Sequence, residues 1–165
     1  MTIALAAAAP EPEPASGVEE PGAAFLHPPR RPAVTDVVTR GAARLLVGLG
    51  YAPLTEVSLP NGRRADLLAL GPKGEFVIAE VKSGVEDYRA DGKWPEYAPF
   101  CDRFFFAVSP DFPRHVLPEE PGLICADAFG GAVIREAPVQ PLAPARRRAL
   151  LLQFARLAAW RAGAV

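Results

Sequence analysis

The residues best placed to do chemistry in this chain are charged side chains set inside apolar runs. Asp66 stands in Arg-Arg-Ala-Asp-Leu-Leu-Ala-Leu, Glu80 and Lys82 in Phe-Val-Ile-Ala-Glu-Val-Lys, and Glu56 in Leu-Thr-Glu-Val-Ser-Leu. An ionised carboxylate in such surroundings is costly unless a partner side chain, a metal or a strand end open to water compensates it. Carboxylates facing one another repel, and a divalent cation removes that penalty. Mg²⁺ takes oxygen ligands and keeps waters, so one to three carboxylates on a preformed sheet suit it. Such an ion makes a bound water a better nucleophile and neutralises charge growing on a phosphoryl oxygen. An ammonium on the same face, Lys82, could orient the attacking water or stabilise a pentavalent transition state. The plainer alternative is that Glu80–Lys82 and Arg64–Asp66 are ion pairs at strand ends.

Whether these groups meet depends on the elements that carry them. Apolar spacing predicts a helix over Pro32–Leu49, stopped by Gly50. Strands follow at Leu54–Leu59, Arg63–Leu70 and Glu75–Lys82, separated by the turns Pro60-Asn61-Gly62 and Gly71-Pro72-Lys73-Gly74. Residues 83–101 read as a helical segment broken near Pro95. Arg103–Val108 is a buried strand, Leu123–Ala126 and Ala132–Arg135 are short strands joined at Gly130-Gly131, and Pro144–Arg161 is a closing helix with proline in its first turn. Three strands on tight turns make an antiparallel meander, and the fourth, arriving through a helix, returns parallel. The expected fold is therefore α/β, an α+β mixed sheet with helices on both faces.

Glu80 and Lys82 are two residues apart and share a face. A three-residue loop with Gly62 left-handed pairs Leu59 with Arg63 and sets Glu56 opposite Asp66. A following loop that pairs Leu70 with Phe76 sets Asp66 opposite Glu80. A slip of one residue in either register turns a carboxylate to the wrong face.

Composition bounds the function. The chain has 165 residues, 50% hydrophobic and 22% charged, which is ordinary for one globular domain. No stretch reaches the ~20 apolar residues that span a bilayer, so a membrane protein is not expected. Two cysteines, Cys101 and Cys125, and two histidines, His27 and His115, make neither a disulfide scaffold nor a Cys/His zinc site, and both thiols read as buried and reduced. Residues 1–30, rich in proline and alanine, read as a disordered tail ahead of a folded domain at 31–165. The apolar stretch Thr2–Ala9 lacks a basic region and does not read as a secretory signal, so a cytoplasmic location is expected. The tail to Pro29 carries four glutamates and no lysine or arginine. Beyond it, 18 basic side chains stand against 15 acidic ones, a net +3. That balance permits a nucleic-acid partner without requiring one.

A longer pattern adds a resemblance. Asp66 followed by Glu80-Val81-Lys82 is similar to the Asp…Glu-x-Lys core of the PD-(D/E)XK nuclease superfamily. The runs Ala65–Leu70, Ile78–Ser83, Asp87–Tyr97, Cys101–Val108, Gly122–Ala128 and Ala143–Arg147 together resemble the MmcB family of DNA repair proteins, over roughly Val34 to Leu157. The resemblance implies a restriction-endonuclease-like αβββαβ core with a C-terminal β-hairpin and helix. It implies a role in repair of damage such as mitomycin-type crosslinks, and a Mg²⁺- or Mn²⁺-dependent cleavage of DNA. By position, Asp66 and Glu80 would be metal ligands, Lys82 the catalytic lysine, and Glu56 an auxiliary acid with a looser match.

For the DNA backbone the candidates are Arg63, Arg64 and the run Arg146, Arg147, Arg148, with Lys93, Trp94 and Tyr97 beside them. Trp94 could stack on a base or equally pack a helix over the sheet. The arginine run sits at a helix N-terminus, where basic residues oppose the dipole and phosphate contact would offset the cost. Such contacts predict structure-selective, salt-sensitive association with DNA in the nucleoid. The alternative is a catalytically silent DNA-binding scaffold of a repair complex. A homodimer and a repair-protein partner are left open, with no apolar stripe in the sequence assignable to an interface.

Overall fold

The computed structural model describes residues 31–90 and 92–163. The tail expected over residues 1–30 lies outside the described residues.

The helix α1 (Arg31–Gly48) leads into the strands β1 (Ala52–Ser58), β2 (Arg64–Leu70) and β3 (Phe76–Lys82). The helix α2 (Val85–Ala90) and two 3₁₀ turns, Trp94–Glu96 and Ala98–Phe100, precede β4 (Arg103–Val108). Then come β5 (Gly122–Ala126), β6 (Gly131–Arg135) and the long helix α3 (Pro144–Ala162). The six strands form one sheet in chain order. β1, β2 and β3 are antiparallel, β3, β4 and β5 are parallel, and β6 returns antiparallel to β5. This is the mixed α+β sheet expected from the sequence, with the ends of the six strands and of α1 and α3 shifted by no more than two residues.

Local chemistry explains the punctuation. α1 ends in a Schellman arrangement: Gly50 (φ +87) bonds Val47 O at 2.9 Å, and Tyr51 bonds Leu46 O at 2.9 Å. Between α2 and β4, Pro95 and Pro99 each fall at the start of a 3₁₀ turn, so the expected broken helix resolves into short turns.

The sheet has a core on each face. On β3, Phe76 and Ile78 pack with Phe104, Phe106 and Leu150, while Val77, Ala79 and Val81 pack with Val38, Ala42 and Leu46 of α1. All seven residues of β3 are buried, which is why it reads as a continuous apolar run. Each fully buried large apolar side chain contributes about 1.5–3 kcal/mol, so this central strand is a rigid base for the charged residues at its end.

One helical glycine is fixed by a close approach. A Cβ on Gly41 would lie 2.3 Å from Asp127 O and 2.6 Å from Gly130 O, both backbone atoms of the β5–β6 turn. Asp127 Oδ1 holds that turn by accepting the Phe129 and Gly130 N–H groups at 2.8 and 3.1 Å. Gly41→Ala would gain about 1 kcal/mol of helix propensity. Overpacking outweighs that gain, and urea denaturation is expected to show a net loss of about 1–3 kcal/mol.

Candidate active site

The site lies where β2 and β3 stop pairing. Their ladder runs from Leu70 opposite Phe76 to Leu67 opposite Ala79, the register expected from the turn. At the next rung side chains replace backbone acceptors. Asp66 N–H donates to Glu80 Oε1 at 3.1 Å, and Val81 N–H donates to Asp66 Oδ2 at 2.8 Å. The two carboxylates are thereby interlocked across the strands. Lys82, two residues beyond Glu80, lines the same cleft, and both are nearly buried, at 3% and 4% exposure.

The cleft is open to solvent and holds about 670 Å³. Arg63 and Arg64 border it, as do Thr35 of α1 and Ser83 and Asp87 at α2. Burial pushes the Asp66 carboxyl above the usual carboxylate range. The Val81 N–H and the Lys82 and Arg64 charges oppose that rise, and the Glu56 charge adds to it. A carboxyl that resists ionisation, beside a buried ammonium in a cleft, is a common mark of a functional site.

Glu56 departs from its expected place. The β1–β2 register is the expected one, with Thr55 opposite Leu67 and Val57 opposite Ala65. Yet Glu56 has φ +51, alone in that respect among the described non-glycine residues. The break shows in the packing: Leu54 and Val57 both meet one core cluster, as do Ala65 and Leu68, although residues three apart should face opposite ways. Turned outward, Glu56 pairs with Arg64 at 2.5 Å, both half-exposed or more. Three carboxylates therefore do not gather. Among the described residues no group of three or more His, Cys, Asp or Glu is arranged to hold an ion.

The other candidates scatter. Arg63 makes a two-pronged bond to Glu96, at 2.7 and 3.0 Å, on the cleft rim. Trp94 and Tyr97 both stack on Phe104 at 5.7 Å between ring centroids, and Tyr97 Oη donates to Arg64 O at 3.3 Å. Trp94 is thus packed over the sheet, Tyr97 packs there and also lines the carboxylate cleft, and Lys93 is exposed beside them. Arg146 lies over the Phe100 ring and donates to Pro99 O. Arg147 was expected on a DNA backbone, but its guanidinium grips the buried Asp102 at 2.6 and 2.8 Å and donates to Gly74 O. That places it at the opposite end of β3 from Glu80, as a structural cation. Arg148 is exposed. Cys101 is buried with its thiol pushed up to about 12 by burial, and Cys125 is half-buried; both are free.

Sequence reasoning did not nominate Thr35 or Asp87. Asp87 accepts from both the N–H and the Oγ of Ser83, at 3.1 and 3.2 Å. The signal was a serine and an acid four apart immediately after Lys82. Thr35 carried none, since α1 reaches the cleft only through tertiary packing.

The fold and site define a class: a mixed-sheet α/β protein with two interlocked acids and a lysine at the end of its central strands. Residues 26–165 match the family described as DNA repair protein MmcB-like, and the chain belongs to that family. Among solved structures it is similar to the SPO1766 protein of unknown function from Silicibacter pomeroyi. The two are 45% identical, with a TM-score of 0.76 over 79% of this chain and 90% of that one. No curated protein matches it. Among the described residues no helix is long and apolar enough to cross a membrane.

Proposed function

We propose that this DNA repair family member is a divalent-cation-dependent nuclease of the PD-(D/E)XK type, hydrolysing phosphodiester bonds of DNA. The observation that carries the reading is the interlocked Asp66–Glu80 pair with Lys82 in one cleft. The donors are carboxylate oxygens, which suit a hard cation, and two of them match the usual habit of Mg²⁺ of using one or two carboxylates plus waters and substrate phosphate oxygens. Asp66 and Glu80 would hold Mg²⁺ or Mn²⁺. When bound, the ion would supply charge neutralisation at the phosphoryl oxygens and a more acidic water.

The chain's own groups do the rest. The Val81 and Asp66 N–H groups fix the two carboxylates so that little reorganisation is needed. Lys82, desolvated by the strand ends, would hold a non-bridging phosphate oxygen or the attacking water. Arg64 and Arg63 at the rim would position the backbone without reading sequence.

The test is cleavage of single-stranded, duplex, flap and junction DNA with Mg²⁺ or Mn²⁺. Glu80→Gln is expected to lower the rate by about 10²–10³-fold, the range for losing one preorganised electrostatic contact. Undiminished cutting by that variant would remove the assignment. The silent scaffold has its own support, because among the described residues no group of three or more His, Cys, Asp or Glu is arranged to hold an ion. DNA binding with no cation uptake by calorimetry and no cleavage would decide for it.

A further inference from the structure

The helix α3 contains five arginines and no acidic residue. Arg146, Arg147 and Arg161 are spent on the fold; Arg161 donates to Thr55 O and Glu56 O. The remaining two stand in a stripe with four-residue spacing: Arg148, Leu152, Arg156, Trp160. Residues four apart lie on one helix face, and all four are exposed, Leu152 by 61% and Trp160 by 66%. The Arg156 guanidinium lies 5.2 Å over the ring of Trp160, most of whose surface stays exposed. Beside the stripe runs a groove of about 510 Å³ between α3 and β1, walled by Glu56 and Ser58 opposite Leu152 and Trp160. Glu56 is the ion partner of Arg64, and Arg64 borders the carboxylate cleft. One ion pair is thus the wall between cleft and groove.

We propose that this α3 stripe is a second nucleic-acid site that takes single-stranded DNA and leads it toward the cleft. The inference rests on the DNA role argued above and extends it to a separate surface. Charge selects a polyanion, since α3 offers cations and no carboxylate. The exposed indole selects unpaired bases, because only those present a ring face for stacking. The stripe spans about 18 Å at 1.5 Å per residue, enough for a backbone track rather than a single contact. A second copy laid on the same stripe would bring arginines against arginines with no acid from α3 to answer them.

The experiment uses the full chain in cation-free buffer with a short oligo-dT strand, so that binding is read apart from cleavage. Tryptophan emission is expected to be quenched on binding, and to be quenched equally when Trp94→Phe leaves Trp160 as the reporter. Trp160→Ala should weaken oligo-dT binding about 10-fold. Arg148→Gln with Arg156→Gln should flatten the log–log salt dependence by about 0.7 per arginine. Both sites are exposed, so thermal melts should match the wild type. Unchanged oligo-dT affinity in Trp160→Ala overturns the stripe, even if cleavage persists. So does loss of a dimer by that variant in sedimentation with DNA affinity intact. Trp160-dependent binding without any cleavage would uphold the stripe and remove the nuclease.

Discussion

Asp66→Asn is expected to abolish DNA cleavage while leaving the protein at least as stable as the wild type. The activity loss follows from the proposed role: a group that holds the cation stabilises transition-state charge by several kcal/mol, so its loss should cost at least about 10³-fold in rate. The stability result follows from burial, which raises the Asp66 carboxyl above its ordinary range. The sign is opposite to that of a paired carboxylate. The folded chain binds the proton more tightly than the unfolded chain, so Asp66 favours folding in acid and opposes it once ionised. Asparagine removes the charge and keeps an oxygen for the Val81 N–H. Melting without added cation should show the variant's advantage growing from acid to neutral pH. A variant that loses activity only because it unfolds would contradict this account.

Asp102→Ala is the substitution expected to harm the fold most. Asp102 is 5% exposed and accepts from Phe76 N at 2.7 Å, Leu142 N at 2.9 Å and both terminal nitrogens of Arg147. Its own backbone bonds Phe76 O and Gln140 N. One side chain thus ties the start of β3, the start of β4, the segment before α3 and α3 itself. Removing it strands two buried N–H donors and a partly buried guanidinium, a loss of about 3–5 kcal/mol. Against a total of about 5–15 kcal/mol, that should lower Tm by about 10 °C or more. Burial pushes the Asp102 carboxyl up, but the Arg147 bonds and charge, with the Phe76 and Leu142 N–H groups, outweigh it and hold it below the usual range. The contribution is therefore present above the ordinary carboxylate range and disappears as pH falls through it toward the lower folded value. Urea titrations from neutral to acid pH should show the wild type converging on Asp102→Ala. Arg147→Gln should destabilise the fold in the same direction, whereas Arg148→Gln should not.

The two arginines show where a sequence stops being informative. Side by side in one basic run, they look alike; one is clamped to an acid 45 positions earlier and the other is exposed. The same holds for the rings at Trp94 and Tyr97, which could serve a base or a core. Phe104 of β4 takes both rings into the core packing, while Tyr97 also lines the cleft. The exposed stripe on α3 was also illegible as an interface, because the helix buries Leu150 and Phe154 while leaving Leu152 and Trp160 outside.

What the amino-acid order determined by itself was the local geometry. The tight turns at residues 60–62 and 71–74 offered two strand registers, and a 71–74 loop that pairs Leu70 with Phe76, as observed, sets Asp66 opposite Glu80, with Lys82 on the face of Glu80. Such contacts are fixed by chain connectivity over a few residues, so pattern and turn chemistry suffice to read them. Tertiary structure decided the rest: the outward turn of Glu56, the burial of Arg147 against Asp102, and the arrival of Thr35 and Asp87 at the cleft. Those outcomes depend on which surfaces of distant elements fill the same space, and packing of that kind leaves no periodic trace in the chain.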